Sequence, residues 1–243
     1  MMLDPVVLFF VLGLAAGLLR AELRLPGAIY DFLSMLLLLT IGLKGGVELA
    51  EVSLWQLLPK LLGVLLMGLL LPLLLYPLLL WLGRLKRADA ASMAAHYGSV
   101  SVGTFAVAVA FLGHQSVAYE SYMPVFVVML EMPAILVGIL LARGLSGQTR
   151  WGALGHELLC GKGILLLMGG LLIGWACGRE ALQPIAPLFF DLFKGVLALF
   201  LLEMGLITAS QMGALRRHGL FILLFGTLVP LLGAGIGGLL ALA

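Results

Sequence analysis

The sequence predicts an all-α polytopic membrane protein, and three observations predict it. Of 243 residues, 63% are apolar and 11% are charged, against about 45–50% and roughly 25% in soluble domains. A soluble globule of this size lacks the polar surface to cover so much apolar side chain. The mean hydropathy is +1.18, and the apolar residues gather into runs of bilayer-crossing scale, about 20 residues each, with short charged breaks between them. These features exclude a cytosolic enzyme, a nucleic-acid binder and a disordered chain. The 14 Lys+Arg against 12 Asp+Glu leave no basic patch for nucleic acid. Two cysteines, Cys160 and Cys177, supply neither a disulfide framework nor a metal cluster.

Taken in order, eight spans are predicted: roughly 3–19, 28–43, 55–82, 91–112, 122–142, 162–178, 187–207 and 219–241. The breaks between them carry charge and turn residues, as in Arg20 to Pro26, Arg84 to Asp89, Arg143 to Lys162 and Arg216-Arg217-His218. The first run has Asp4 ahead of it and no small-residue cleavage site behind it, which predicts a retained helix and not a signal peptide. With the N-terminus outside, the inner loops hold Arg20, Arg24, Arg84, Lys86, Arg87, Arg143, Arg150, Lys162, Arg216 and Arg217, and the outer loops hold only Lys44, Lys60 and Arg179. The positive-inside rule therefore puts the N-terminus outside and the 143–161 loop in the cytoplasm.

An internal repeat is expected. Gly13-Leu-Ala-Ala-Gly17 recurs as Gly170-Leu-Leu-Ile-Gly174, Asp31-Phe-Leu as Asp191-Leu-Phe, Gly45 as Gly205 and Pro72 as Pro230, at shifts of 157 to 160 residues. Five spans precede the shift point. An odd number makes the second copy enter the membrane from the opposite side, the inverted-repeat design of secondary transporters. The predicted division is 1–142 as the first repeat, 143–161 as a cytoplasmic loop and 162–243 as an incomplete second repeat of three spans. A full second copy needs about two more helices, so the chain is expected to lack the last two, whether by truncation or because another chain completes it.

Ala94 to Phe111 carries the chemistry. Gly98, Ser99, Ser101, Gly103 and Thr104 fall within seven residues of a predicted span. Each glycine costs about 1 kcal/mol in a helix, and hydroxyls satisfy backbone groups that an unwound turn sets free. The helix is therefore predicted to break near Gly98–Ser99 and restart as a half-helix. The new N-terminus offers free N–H groups and about half a positive charge, an anion site without a cationic side chain. Ser101 and Thr104, three residues apart, share a face and are suited to donate to an anion or, with freed carbonyls, to ligate Na⁺. The alternative is close packing, since small residues and Ser/Thr also mark helix–helix contacts in membranes.

Glu131 sits mid-span in Val127-Val-Met-Leu-Glu-Met-Pro133. An intramembrane acid is costly and functional by default. It is read as a Na⁺ or H⁺ ligand or an orienting partner, against a carboxylate bonded only for packing. Asp31 and Asp191, near span starts, are expected to be helix N-caps. Glu203 and Lys194 are nine residues apart, too far for a helical pair. Lys44, Glu48 and Glu51 are expected to form a solvated rim after the second span. His96 beside Tyr97 admits a proton relay, or a structural role. The Gly13/Gly17 and Gly170/Gly174 pairs point to close helix packing. No Gly-x-Ser-x-Gly, His-Glu-x-x-His or phosphate-loop pattern occurs.

Ala94-Ala-His-Tyr-Gly-Ser-Val-Ser-Val-Gly-Thr-Phe105, Tyr122-Met-Pro-Val-Phe-Val-Val-Met-Leu-Glu-Met-Pro-Ala134 and Gly45-Gly-Val-Glu-Leu-Ala50 resemble the SbtA family of sodium-dependent bicarbonate transporters. The resemblance runs along nearly the whole chain. It implies ten helices in five-plus-five inverted repeats, a core and a gate domain, a homotrimer in the bacterial plasma membrane, Na⁺-coupled bicarbonate uptake, and cytoplasmic inhibition by a PII-like trimeric partner, SbtB. It implies a substrate site at Gly98, Ser99, Ser101, Gly103 and Thr104, and sodium ligands among Ser99, Ser101, Thr104 and Glu131. The family's second broken helix is expected beyond Ala243. Sodium is then the coupling ion, no cofactor is expected, and bicarbonate, sodium and the lipid bilayer are the partners, with nucleic acid excluded. Two other classes stay open: a Na⁺/H⁺ antiporter-like exchanger with Glu131 as proton carrier, and a non-transporting membrane regulatory subunit. An enzyme built on His96 and Ser99 is disfavoured, because that pair lacks an orienting third group and an oxyanion site.

Overall fold

The computed structural model describes residues 4–23, 25–120, 122–144, 152, 155–156 and 160–242. The described residues are mostly helical, with no strand among them. Helix α1 spans Pro5–Leu18, α2 Gly27–Glu51, α3 Leu54–Trp81, α4 Arg87–Gly98, α5 Val102–His114 and α6 Met123–Arg143. Helix α7 spans Lys162–Ala181. A 3₁₀ turn at Gln183–Ile185 and a π turn at Pro187–Asp191 follow it, and α8 spans Phe193–Leu242. Gly219 adopts φ 72° and ψ −172° inside α8 and divides it into two apolar spans, Phe193–Gly213 and Gly219–Ala241.

Among the described residues, seven helical segments are long and apolar enough to cross a membrane. They match seven of the predicted spans. The other, α1, has 14 residues, about 21 Å at 1.5 Å per residue, short of a hydrocarbon core of about 30 Å. Its start is set by Asp4, whose Oδ1 accepts the Val6 amide at 2.9 Å, with Pro5 at the first helical position. The second span runs on past its predicted end at 43, through Glu51. Asp31 consequently lies a turn inside α2 and is not its N-cap, because the helix already begins at Gly27, after Pro26. The predicted cytoplasmic loop 143–161, Arg24 and the side chains of Arg216, Arg217 and His218 fall largely or wholly outside the described residues.

The chain forms two compact units. The first comprises Met1–Glu51, Ser101–Val125 and Leu166–Ala214; the second comprises Val52–Val100, Phe126–Leu165 and Leu215–Ala243. Both are threaded from distant stretches, so they are units of packing and not the consecutive sequence repeats expected at 1–142 and 162–243.

In the first unit, glycines let helix backbones touch. A Cβ on Gly13 or Gly205 would run into the backbone of α8 or α1 respectively, at Leu202 and Phe10. Gly42 and Gly46 of α2 meet Gly170 and Gly174 of α7 in the same manner. This is the close small-residue packing that membrane helices use in place of a hydrophobic drive. Leu43, Val47 and Leu182 form a buried cluster with Phe189 and Phe190 packed on it. In the second unit, the core joins Leu75 and Leu79 of α3, Ala90 and Ala94 of α4, and Phe225 and Val229 of α8. Helix α3 carries Pro59, Pro72 and Pro77 without breaking. Each proline removes a ladder hydrogen bond, which neighbouring membrane helices tolerate.

Candidate functional site

The apolar span predicted over 91–112 is interrupted where its small polar residues cluster. Helix α4 ends at Gly98, and Ser99 is extended at φ −104° and ψ −175°. Ser101, at φ −77° and ψ 117°, is the N-cap of α5. Its Oγ accepts the Thr104 amide at 3.3 Å, and its carbonyl accepts the Phe105 amide at 2.9 Å. The first-turn amides of Val102 and Gly103 have no acceptor within the helix, so they and the aligned peptide dipoles give α5 a positive N-terminal end. Ser101 and Thr104 are exposed and Gly103 is half-buried.

The individual roles are more divided than the string suggests. Gly98 is buried against Pro72, and a Cβ there would overlap the proline ring; its contact is packing within the second unit. Ser99 Oγ donates to the His96 carbonyl at 3.3 Å, closing the end of α4. Gly103 faces the Phe200 ring, 2.9 Å from where a Cβ would stand, and Phe200 stacks on Tyr30 at 5.6 Å. Gly98 and Ser99 belong to the second unit, and Ser101, Gly103 and Thr104 to the first.

Glu131 lies in the second unit, midway along α6, and Oε2 is buried with no hydrogen bond among the described residues. Gly163 faces the other carboxylate oxygen, and a Cβ there would stand 3.7 Å from it. Pro133, two residues on, leaves the Met129 carbonyl without its helical donor. Glu203 of α8 also has a buried, unbonded Oε2. His96 is exposed, and its Nδ1 lies 2.8 Å from the Ser92 carbonyl. That contact fixes a local helix bond, and Tyr97 turns instead to the edge of Phe225 at 5.1 Å. No group of three or more His, Cys, Asp or Glu stands ready for a metal among the described residues.

The first unit also holds an open cavity of about 660 Å³, and Lys44 and Glu48, expected in a solvated rim, are part of its wall. Because α2 continues through Glu51, Lys44 and Glu48 follow Ile41 at helical spacing and face this cavity together with Tyr119, Arg179 and Asp191. Glu48 Oε1 accepts from Arg179 at 2.9 Å. Lys44 Nζ lies 4.3 Å over the Phe193 ring and 6.0 Å from that of Phe190. Gly178, at φ 69°, turns the chain just before Arg179; an L side chain rarely adopts that conformation. Asp191 ends the π turn and lines the cavity, so it is not the cap expected for the following span. Tyr119, on the loop after α5, has its phenol pushed above the usual tyrosine value, first by burial and then by the Glu48 carboxylate. The overlooked signal was the i, i+3, i+7 pattern Ile41, Lys44, Glu48, which marks one helix face and not a loop.

The model of the Na⁺-dependent bicarbonate transporter superfamily matches residues 5–243. A comparison with curated proteins returns no match.

Proposed function

We propose that this chain, which belongs to the Na⁺-dependent bicarbonate transporter superfamily by a match over residues 5–243, is a sodium-coupled importer of bicarbonate working by alternating access. The interruption between α4 and α5 is the observation that carries the reading. It leaves an exposed, serine-capped helix N-terminus within an otherwise apolar span. Bicarbonate would accept from the Val102 and Gly103 amides and from the hydroxyls of Ser101 and Thr104. Gly98 and Ser99 would contribute by ending α4 so that this terminus is free. Sodium would bind beside it, through the hydroxyls of Ser101 and Thr104 and the freed carbonyls of the same turn. A paired Na⁺ and anion cost less to bury than either ion alone.

Coupling sets the power. With one Na⁺ per bicarbonate no net charge moves, and a tenfold gradient supplies about 1.4 kcal/mol, or tenfold accumulation. With two, the gradient supplies about 2.8 kcal/mol and 100 mV adds about 2.3 kcal/mol.

The inverted repeat gains support from the glycine contacts. If α1 corresponds to α7 and α2 to the first half of α8, the α1–α8 contact at Gly13 and Gly205 maps onto the α7–α2 contact at Gly170, Gly174, Gly42 and Gly46. A repeat related by a pseudo-two-fold axis generates such reciprocal pairs. The reading extends, on the family resemblance, to symport, an outside N-terminus, a homotrimer in the bacterial plasma membrane and a cytoplasmic PII-like partner, SbtB.

The test is radiolabelled bicarbonate uptake into vesicles reconstituted with the protein, with and without a sodium gradient. Sodium-driven uptake is expected. Ser101→Ala and Thr104→Ala are expected to weaken it, and uptake at wild-type affinity in both would remove the hydroxyl role. Ser101→Ala should also cost about 1 kcal/mol of stability, since it deletes a cap. One observation favours a second reading, Na⁺/H⁺ exchange: the buried, unbonded Glu131 oxygen. Sodium flux that depends on pH, needs no bicarbonate and disappears in Glu131→Gln would select it.

A further inference from the structure

The cavity of the first unit is walled by α5 from Val109 back to Phe105, the residue after Thr104, and its charged side chains stand where α2 and α7 end and α8 begins. Its charges are unevenly answered. Arg179 is held by Glu48. Lys44, half-buried, has no carboxylate within ion-pair distance among the described residues, Asp191 of the same wall included. Its ammonium rests on the Phe193 ring face, and a second cation, Lys194, lies within Coulomb reach of it. A ring face compensates only part of what an ammonium loses on leaving water. The position therefore wants an anion, and the cavity has room for one beside Nζ.

We propose that this cavity is an anion vestibule in which Lys44 holds a small oxyanion, bicarbonate or a carboxylate of similar size, alongside the half-helix α5. The aromatic wall of Phe190 and Phe193 fixes the ammonium without neutralising it, and the Arg179–Glu48 pair keeps a second cation from competing for the same ion. The identification of the anion as cargo rests on the transport reading; the binding itself does not.

The experiment titrates ¹³C-bicarbonate and ¹³C-formate with the purified full chain in detergent and sodium-free buffer, following ¹³C line width. Omitting sodium keeps the Na⁺-coupled site at the α5 terminus out of the measurement. Wild type and Lys44→Arg are expected to broaden the anion signal. Lys44→Gln is expected to bind about tenfold more weakly, the loss of one charge-assisted contact. The Arg variant guards against a loss that reflects misfolding. Broadening of both anions supports a general oxyanion vestibule, and of bicarbonate alone a cargo-specific one. Broadening of formate alone supports a carboxylate site and removes bicarbonate as its cargo; no broadening by wild type, or equal broadening by wild type and Lys44→Gln, overturns the proposal. Lys44-dependent binding without sodium-driven uptake in vesicles would leave the vestibule standing and remove the transport reading. Sodium-driven uptake with binding indifferent to Lys44 would do the reverse.

Discussion

Single side chains in this protein carry more than one duty. Ser101 caps α5 through its hydroxyl and stays exposed while doing so. Ser99 closes α4 with its own oxygen. Gly98 and Gly103 stand among the small polar residues, yet each is filled by a ring, Pro72 in one case and Phe200 in the other. Tyr119 shows the same coupling in its ionisation. Its phenol is raised above the ordinary tyrosine value by burial first and by Glu48 second. A raised value means that the fold favours the neutral phenol. That preference is fully present below about pH 10 and is lost as pH rises through the folded-state value. In the difference between wild-type and Tyr119→Phe tyrosinate absorbance, the midpoint should lie above 10. Glu48→Gln should lower it only in part, because burial is the larger cause. A midpoint that falls back to 10 in Glu48→Gln would reverse that order.

At the scale of elements, glycine decides which helices can lie in backbone contact. Gly46 of α2 faces the Leu171 carbonyl and the Trp175 amide of α7, with no room for a methyl group, whereas Gly169 of α7 faces open space. Overpacking a close contact costs about 1–3 kcal/mol, while Gly→Ala at an open helical position gains up to about 1 kcal/mol. Gly46→Ala should therefore lower the thermal midpoint of the detergent-solubilised protein, and Gly169→Ala should hold or raise it. Equal behaviour of the two would mean that α2 and α7 are not packed through these glycines. The elements also show how a span can be apolar throughout and still be discontinuous. From Arg87 to Gly113 the hydropathy is that of one crossing helix, but the backbone runs as two.

For the whole molecule, the charge bias of the loops predicts a definite orientation. In a background with Cys160 and Cys177 replaced by serine, Glu120→Cys should react with a membrane-impermeant maleimide in intact cells. Asp89→Cys should react only after permeabilisation. The opposite pattern would invert the positive-inside assignment. Orientation matters to the chemistry, because it decides on which side the cavity with Lys44 and Arg179 opens; the positive-inside assignment would place both residues at the external ends of their helices.

Hydropathy by itself determined the class of this protein and located seven apolar segments, though the second ends at Glu51 and not at 43 and the seventh lies at Phe193–Gly213 and not at 187–207; the glycines and hydroxyls located the break between α4 and α5. Those properties depend on local composition: a run of apolar residues must cross or bury, and two glycines with three hydroxyls weaken a helix wherever they occur. The tertiary structure decided the rest. Threading through two units is a matter of which backbones come close, and no single run reports that. Whether Gly98 serves a ligand or a proline ring depends on what α3 brings to it. The cavity around Lys44 arises because α2 outlasts its apolar stretch and meets Arg179, Asp191 and Tyr119 from 70 to 150 residues away. Read alone, Lys44 is one more charge at a helix end; an unanswered ammonium is a property of its neighbours, and only folding supplies them.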